Sequence, residues 1–163
     1  MMMKNSGALK ITTPTDREVM LTRVFDAPCQ LVFNALTKPE LLKRWYGPSG
    51  WTMVVCEIDL RVGGKWRFVS CRPDGKTIGQ HGVYREIVLS ERLVNTESWE
   101  DWDAGETLVT TVLAEQDGKT IFTATMLFPS QEVRDTVLKS GLEHGAVEIY
   151  NKLAELLAST DTY

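Results

Sequence analysis

An α+β domain is what this 163-residue sequence predicts, and three observations carry that expectation. Apolar residues recur at helical spacing from Leu31 to Trp45, alternate as in strands from Trp51 to Pro129, and return to 3- and 4-residue steps from Val133 to Leu157. Turn chemistry rather than helices separates the middle segments, with Gly63-Gly64, Asp74-Gly75 and Asp117-Gly118 supplying residues that tolerate positive φ. The length suits one core, burying roughly two thirds of the unfolded chain's surface without a metal or disulfide staple.

The elements follow in order. Residues 1 to 16 are expected to form a flexible tail, residues 17 to 159 one domain, and residues 160 to 163 a second tail. Alternation from Arg17 to Phe25 marks a first strand, ended by Asp26-Ala27-Pro28. Pro28 suits the first turn of a helix carrying Leu31, Val32, Ala35 and Leu36. Thr37-Lys38-Pro39-Glu40 has the form of a capping box, opening a second short helix with Leu41, Leu42 and Trp45. Gly47-Pro48-Ser49-Gly50 stops it, and six strands follow near 51–60, 65–72, 78–88, 92–100, 106–115 and 120–129, seven strands in all.

Ser130 can cap one long helix running to the end, whose apolar face includes Val133, Val137, Leu142, Ile149 and Leu153. Burying that face contributes on the order of 10 kcal/mol before entropy is subtracted, so truncating the helix should unfold the domain. Within it Gly141 and Gly145 each cost about 1 kcal/mol relative to Ala. Two reasons fit them equally: close packing of the helix on the sheet, or room for a ligand beneath it.

The composition narrows the function. With 43% hydrophobic and 25% charged residues the chain is ordinary globular protein, and a net charge of -4 argues against general affinity for nucleic acid or anionic membranes. Cys29, Cys56 and Cys71 form no metal-ligand pattern and read as reduced thiols. With no signal peptide or apolar run of about 18 residues, a cytoplasmic location is expected. No cofactor or metal is called for, and no nucleophile stands beside a base, so no residue is assigned as catalytic.

The most informative stretch runs from Trp45 to Phe68, where three Trp, a Tyr and a Phe flank a Gly/Pro loop and Gly63-Gly64. F-D-A-P-x-x-L-V-F-x-A-L-T at Phe25 to Thr37, P-E-L-L-x-R-W-Y-G-P at Pro39 to Pro48, C-E-I-D-L-R-V-G-G-K-W-R-F at Cys56 to Phe68, H-G-V-Y-R-E-I at His81 to Ile87 and E-R-L-V at Glu91 to Val94 closely resemble bacterial proteins named for similarity to the activator of the heat-shock-protein-90 ATPase. These belong to the START-like, polyketide-cyclase-like superfamily. The resemblance spans about Arg17 to Leu157 and implies a helix-grip fold like that of the birch-pollen allergen, a curved antiparallel sheet of about seven strands wrapped round the C-terminal helix. It also implies a space between sheet and helix. In the family, Gly followed by Trp is common at Gly145-Ala146; here a methyl replaces the ring, which implies a larger space or an inward swing of Tyr150.

Candidate wall residues follow from the strand and helix patterns together with that implied space. Trp66 and Phe68 share one sheet face, opposite Lys65 and Arg67, and are either plain core or cavity wall. Trp45, Tyr84, Trp99, Met126, Phe128, Leu142, Ala146 and Tyr150 are further ligand-binding candidates. His81 either pairs with a pocket carboxylate or ligand or is a satisfied structural histidine, whereas His144 belongs to a solvated helix face. Glu97 shares a strand with Trp99 and is a candidate inward carboxylate, against the general tendency of acids to be exposed. The alternation in K-W-R-F puts bases and rings on opposite faces, which excludes a nucleic-acid stacking strip. Trp102 is a candidate edge or dimer contact.

The leading functional expectation is binding of a small apolar or aromatic molecule between helix and sheet, with His81, Tyr84 or Glu97 orienting it. A cyclase- or hydrolase-type enzyme using a pocket His or carboxylate is the alternative. A chaperone-interacting module is suggested by the family name and ranks lower, since the chain leaves no room for the separate N-terminal domain of the eukaryotic activators. A homodimer through an edge strand is also expected.

Overall fold

Among the described residues, period-two patterning resolves into a single curved antiparallel sheet of eight strands. The structure is a computed structural model and describes residues 8–159. The elements are β1 (Lys10–Thr12), β2 (Glu18–Phe25), α1 (Cys29–Thr37), α2 (Pro39–Trp45), β3 (Thr52–Ile58), β4 (Lys65–Cys71), β5 (Thr77–Val88), β6 (Arg92–Trp99), β7 (Thr107–Gln116), β8 (Lys119–Leu127), α3 (Gln131–Lys139) and α4 (Leu142–Leu157). The strand order is β1-β2-β8-β7-β6-β5-β4-β3, so the meander closes back on the first long strand. Register shifts at Met53/Val55 and Tyr84/Glu86 are the kind of irregularity that bends a sheet.

Every second residue of β2 points into the core, and its Val19, Leu21 and Phe25 pack with Phe122 of β8, Val32 of α1 and Leu153 of α4. Arg23 shares that inward parity. Its Nη1 donates to Asn151 Oδ1 at 2.8 Å, its guanidinium lies 5.2 Å from the Phe25 ring centroid, and its Nε has no hydrogen-bond partner among the described residues. Burial lowers its pKa. The β7–β8 hairpin has the expected two-residue turn, with Asp117 at φ 54° and Gly118 at φ 80°.

Four details differ from the sequence reading. Lys10–Thr12, expected to lie in a tail, pairs with Thr22, Leu21 and Met20 as an eighth strand; the remainder of the expected tails, residues 1–7 and 160–163, lies outside the described residues. Pro28 is the residue before α1 rather than its first turn, and its carbonyl accepts from Leu31 and Val32. The capping box does not form: Thr37 ends α1 and its hydroxyl donates to Phe33 O at 2.8 Å, while Lys38 precedes α2 without a side-chain cap. Finally, the C-terminal helix is two helices. Ser130 Oγ caps α3 by accepting from Val133 N at 3.2 Å, but the chain breaks at Ser140-Gly141 because Gly141 has φ 92°, the left-handed region that glycine enters without steric cost.

Candidate ligand-binding cavity

The concave sheet face and α4 do not meet completely, and a cavity of about 330 Å³ remains between them. Alternation aims four residues of β6 into it: Leu93, Asn95, Glu97 and Trp99. Trp66 and Phe68 of β4, Gln80 and Tyr84 of β5, and Phe122, Ala124 and Met126 of β8 enter by the same rule, with Phe128 just beyond. Across from them α4 contributes Leu142, Gly145, Ala146, Ile149 and Tyr150 at 3- and 4-residue steps. Val137 of α3 and Tyr46, just after α2, also line it.

Gly82 makes this wall possible. A β-carbon there would run into the Thr96 carbonyl and the Trp66 indole, so glycine leaves a shelf on β5 over which Trp66 lies, its Nε1 donating to Thr96 O at 3.2 Å. Gly145 is different: none of the described residues lies within 4 Å of where its β-carbon would stand, so it faces open space. Ala146 is buried at the same helix face. Tyr150 does turn toward the sheet, its ring centroid 5.2 Å from that of Phe122 and 6.1 Å from that of Trp45, yet the cavity stays unfilled.

Polar groups in the cavity gather around Glu97. Tyr46 Oη donates to Gln80 Oε1 at 3.1 Å, and Gln80 Nε2 donates to Glu97 Oε2 at 3.2 Å. Glu97 keeps partial accessible surface, and that surface faces the cavity; protein otherwise encloses the carboxyl, and this desolvation raises its pKa from 4.5 to about 7. Burial also raises the phenols of Tyr46 and Tyr150, and the Glu97 charge pushes both further in the same direction, which places all three groups in one electrostatic neighbourhood. Tyr84 is raised by burial. Among the described residues, no protein group hydrogen-bonds the hydroxyl of Tyr84 or Tyr150, although both residues line the cavity.

Ten of the twelve candidate residues therefore line one cavity: Trp66, Phe68, Tyr84, Glu97, Trp99, Met126, Phe128, Leu142, Ala146 and Tyr150. Two do not. Trp45 is buried behind Tyr150, its indole N–H donating to Ala35 O at 2.9 Å, so it supports the wall rather than forming it. His81 has the parity opposite to Gln80 and Tyr84 and projects from the outer sheet face, with Nδ1 3.1 Å from Glu100 Oε2. There Arg67 Nε and Nη2 donate to both oxygens of Glu100, and these hydrogen bonds lower the Glu100 pKa. The exposed side chain of His144 lies outside as well. Trp102 lines a second cavity of about 340 Å³, formed with Ile78, Trp99, Asp101 and residues of α3.

Sequence reasoning missed Gln80 and Tyr46. Gln80 had a signal, the even-numbered parity it shares with Tyr84, whereas Tyr46 closes a helix and follows no strand pattern. All three cysteines are free thiols, and no helix among the described residues is long and apolar enough to cross a membrane.

Among solved structures, a Rhodobacter sphaeroides protein superposes with a TM-score of 0.88 at 30% identity, covering 93% of this chain and 99% of the other. A Nitrosomonas europaea protein gives 0.82 at 27% identity, over 91% and 99% of the two chains. The AHSA1 protein of Silicibacter pomeroyi, 23% identical, shares the fold at a TM-score of 0.70 over 86% and 97%. No curated protein matches the sequence. Residues 26–158 match the family described as Activator of Hsp90 ATPase homolog 1-like protein. That match spans most of the chain, and with the eight-stranded sheet set against a C-terminal helix it makes the protein a member of this family, with the helix-grip fold of the START-like superfamily.

Proposed function

We propose that the protein binds a small, largely apolar or aromatic molecule in the cavity between α4 and the sheet. The observation that carries this reading is an unfilled space of about 330 Å³, walled by aromatic and aliphatic side chains with its polar groups grouped around Glu97. Interiors close-pack unless something else occupies the volume, and a few convergent polar groups in an apolar cavity are what orient a ligand. Ala146, where the resemblance leads one to expect a large ring, supports the same reading.

Thermal unfolding of the purified protein across a library of aromatic and aliphatic metabolites tests it. A ligand present at 100 times its Kd adds about 2.7 kcal/mol, which is roughly 5–10 °C in Tm for a chain of this size. The shift must vanish in Ala146→Trp; a ligand that stabilises both forms equally binds elsewhere and removes the reading.

A second reading is acid/base catalysis by Glu97. A carboxyl held near 7 is poised to give or take a proton at neutral pH, and Tyr150 and Tyr84 offer hydroxyls with no protein partner among the described residues. Turnover of a bound library compound that disappears in Glu97→Gln while binding persists would establish it. Turnover unchanged in that variant would eliminate it.

A further inference from the structure

The charge inventory of the cavity is one-sided. Among the described residues that line it, eight are aromatic, one is a carboxylic acid, and none is Lys, Arg or His. Gln80 engages only Oε2 of Glu97; among the described residues no protein donor reaches Oε1. The titratable groups that feel the charge of that carboxyl are the phenols of Tyr46, just after α2, and Tyr150 of α4, and neither carries positive charge. Across the sheet, Glu97 pairs with Thr107 of β7, which brings no charge either. A largely enclosed carboxylate with one oxygen free of protein donors and no cationic partner among the described residues is a costly arrangement that a cation relieves. Aromatic faces attract cations through their ring quadrupoles, and they do so most strongly where water is excluded.

We propose that the ligand is a cationic amphiphile, an aromatic or aliphatic body carrying one protonated amine that docks on the free oxygen of Glu97. This inference rests on the cavity reading above and adds the ligand's charge to it. Trp66, Phe68 and Trp99 supply apolar surface for the body. The hydroxyl oxygen of Tyr150, in the same electrostatic neighbourhood as Glu97, is a further acceptor for the ammonium. An anionic ligand of the same shape is rejected, because two carboxylates in a low-dielectric space repel and one must take up a proton. A neutral alcohol binds by apolar contact alone and lacks a charge-assisted hydrogen bond.

The test uses three matched probes, 4-phenylbutylamine, 4-phenylbutanol and 4-phenylbutyrate, with affinities read from the fluorescence of the cavity tryptophans and by calorimetry at pH 5.5 and pH 8. At pH 8 the amine should bind at least about tenfold more tightly than the alcohol, and the carboxylate most weakly. At pH 5.5, where Glu97 is protonated and the amine still charged, the amine's advantage should shrink. In Glu97→Gln it should be lost at both pH values, while the alcohol's affinity stays within about twofold. Glu100→Gln, on the outer face, should leave all three affinities as they are. Equal binding of amine and alcohol by the native protein at pH 8 overturns the charge preference and leaves the cavity reading standing. Binding of none of the three at millimolar concentration overturns both, and a preference for the amine that survives in Glu97→Gln places the cation elsewhere and refutes the proposal.

Discussion

Replacing Glu97 by Gln should make the protein more stable at neutral and alkaline pH and leave its stability nearly unchanged in acid. The native carboxyl holds its proton to about pH 7 because burial disfavours the charge, whereas the unfolded chain releases it near 4.5. Between those values the folded state binds more protons than the unfolded state, so stability falls as pH rises. Below 4.5 both states are protonated and there is no penalty; above 7 the penalty is complete. The gap corresponds to on the order of 3 kcal/mol. Glutamine keeps the shape and an oxygen able to accept from Gln80 Nε2, but never ionises. The variant should therefore exceed the wild type by about 3 kcal/mol at pH 8, roughly 6–12 °C in Tm, and match it near pH 4. Urea unfolding at half-unit steps from pH 4 to pH 8.5 reads the difference directly. All other titrating groups cancel in the comparison. Parallel stability profiles for the two proteins across that range would refute the claim that the Glu97 carboxyl is desolvated.

Three further predictions follow from the geometry. Gly141→Ala should destabilise by about 1–2 kcal/mol, because its φ of 92° is strained for any β-carbon, whereas Gly145→Ala, four residues on in a regular helix with open space beside it, should stabilise by up to about 1 kcal/mol; chemical denaturation of the pair separates the two roles. Gly82→Ala should cost about 3 kcal/mol and redden the Trp emission, since the new methyl must displace Trp66 or the Thr96 backbone. Ala146→Trp should abolish binding of any cavity ligand without lowering Tm, the ring entering volume that is empty rather than overpacking a filled core; a lowered Tm would show that the space cannot accept it.

Much of this architecture was legible in the residues. Turn pairs such as Asp117-Gly118 marked the hairpins because their φ requirement is local. Parity alone assigned Trp66 and Phe68 to one face. The same rule, applied from Tyr84, puts His81 on the opposite face, where it meets Glu100. Glu97 shows the limit of such rules: parity with Trp99 aims it inward, but only the strand order and helix placement reveal that it accepts from Gln80 of β5, which in turn accepts from the phenol of Tyr46 just after α2. Those neighbours are 17 and 51 positions away in the chain, and no local pattern encodes them. The break at Gly141 was hidden for another reason, since apolar spacing continues through it and periodicity is blind to a single left-handed residue. β1 is three residues long, too short for any alternation to register.

That break divides the C-terminal region into two units of unequal tenacity. α4 buries Ala146, Leu153, Leu156 and Leu157, whereas no residue of nine-residue α3 is fully buried. An isolated helix of that length is marginal in water, so α3 depends on its Ser130 cap and on Arg134, whose guanidinium donates to Thr15 O at 2.8 Å. Amide hydrogens of α3 will thus exchange with solvent ahead of those of α4, through local opening that leaves the sheet intact. Since Val137 borders both cavities, the element that yields first is one the two cavities share.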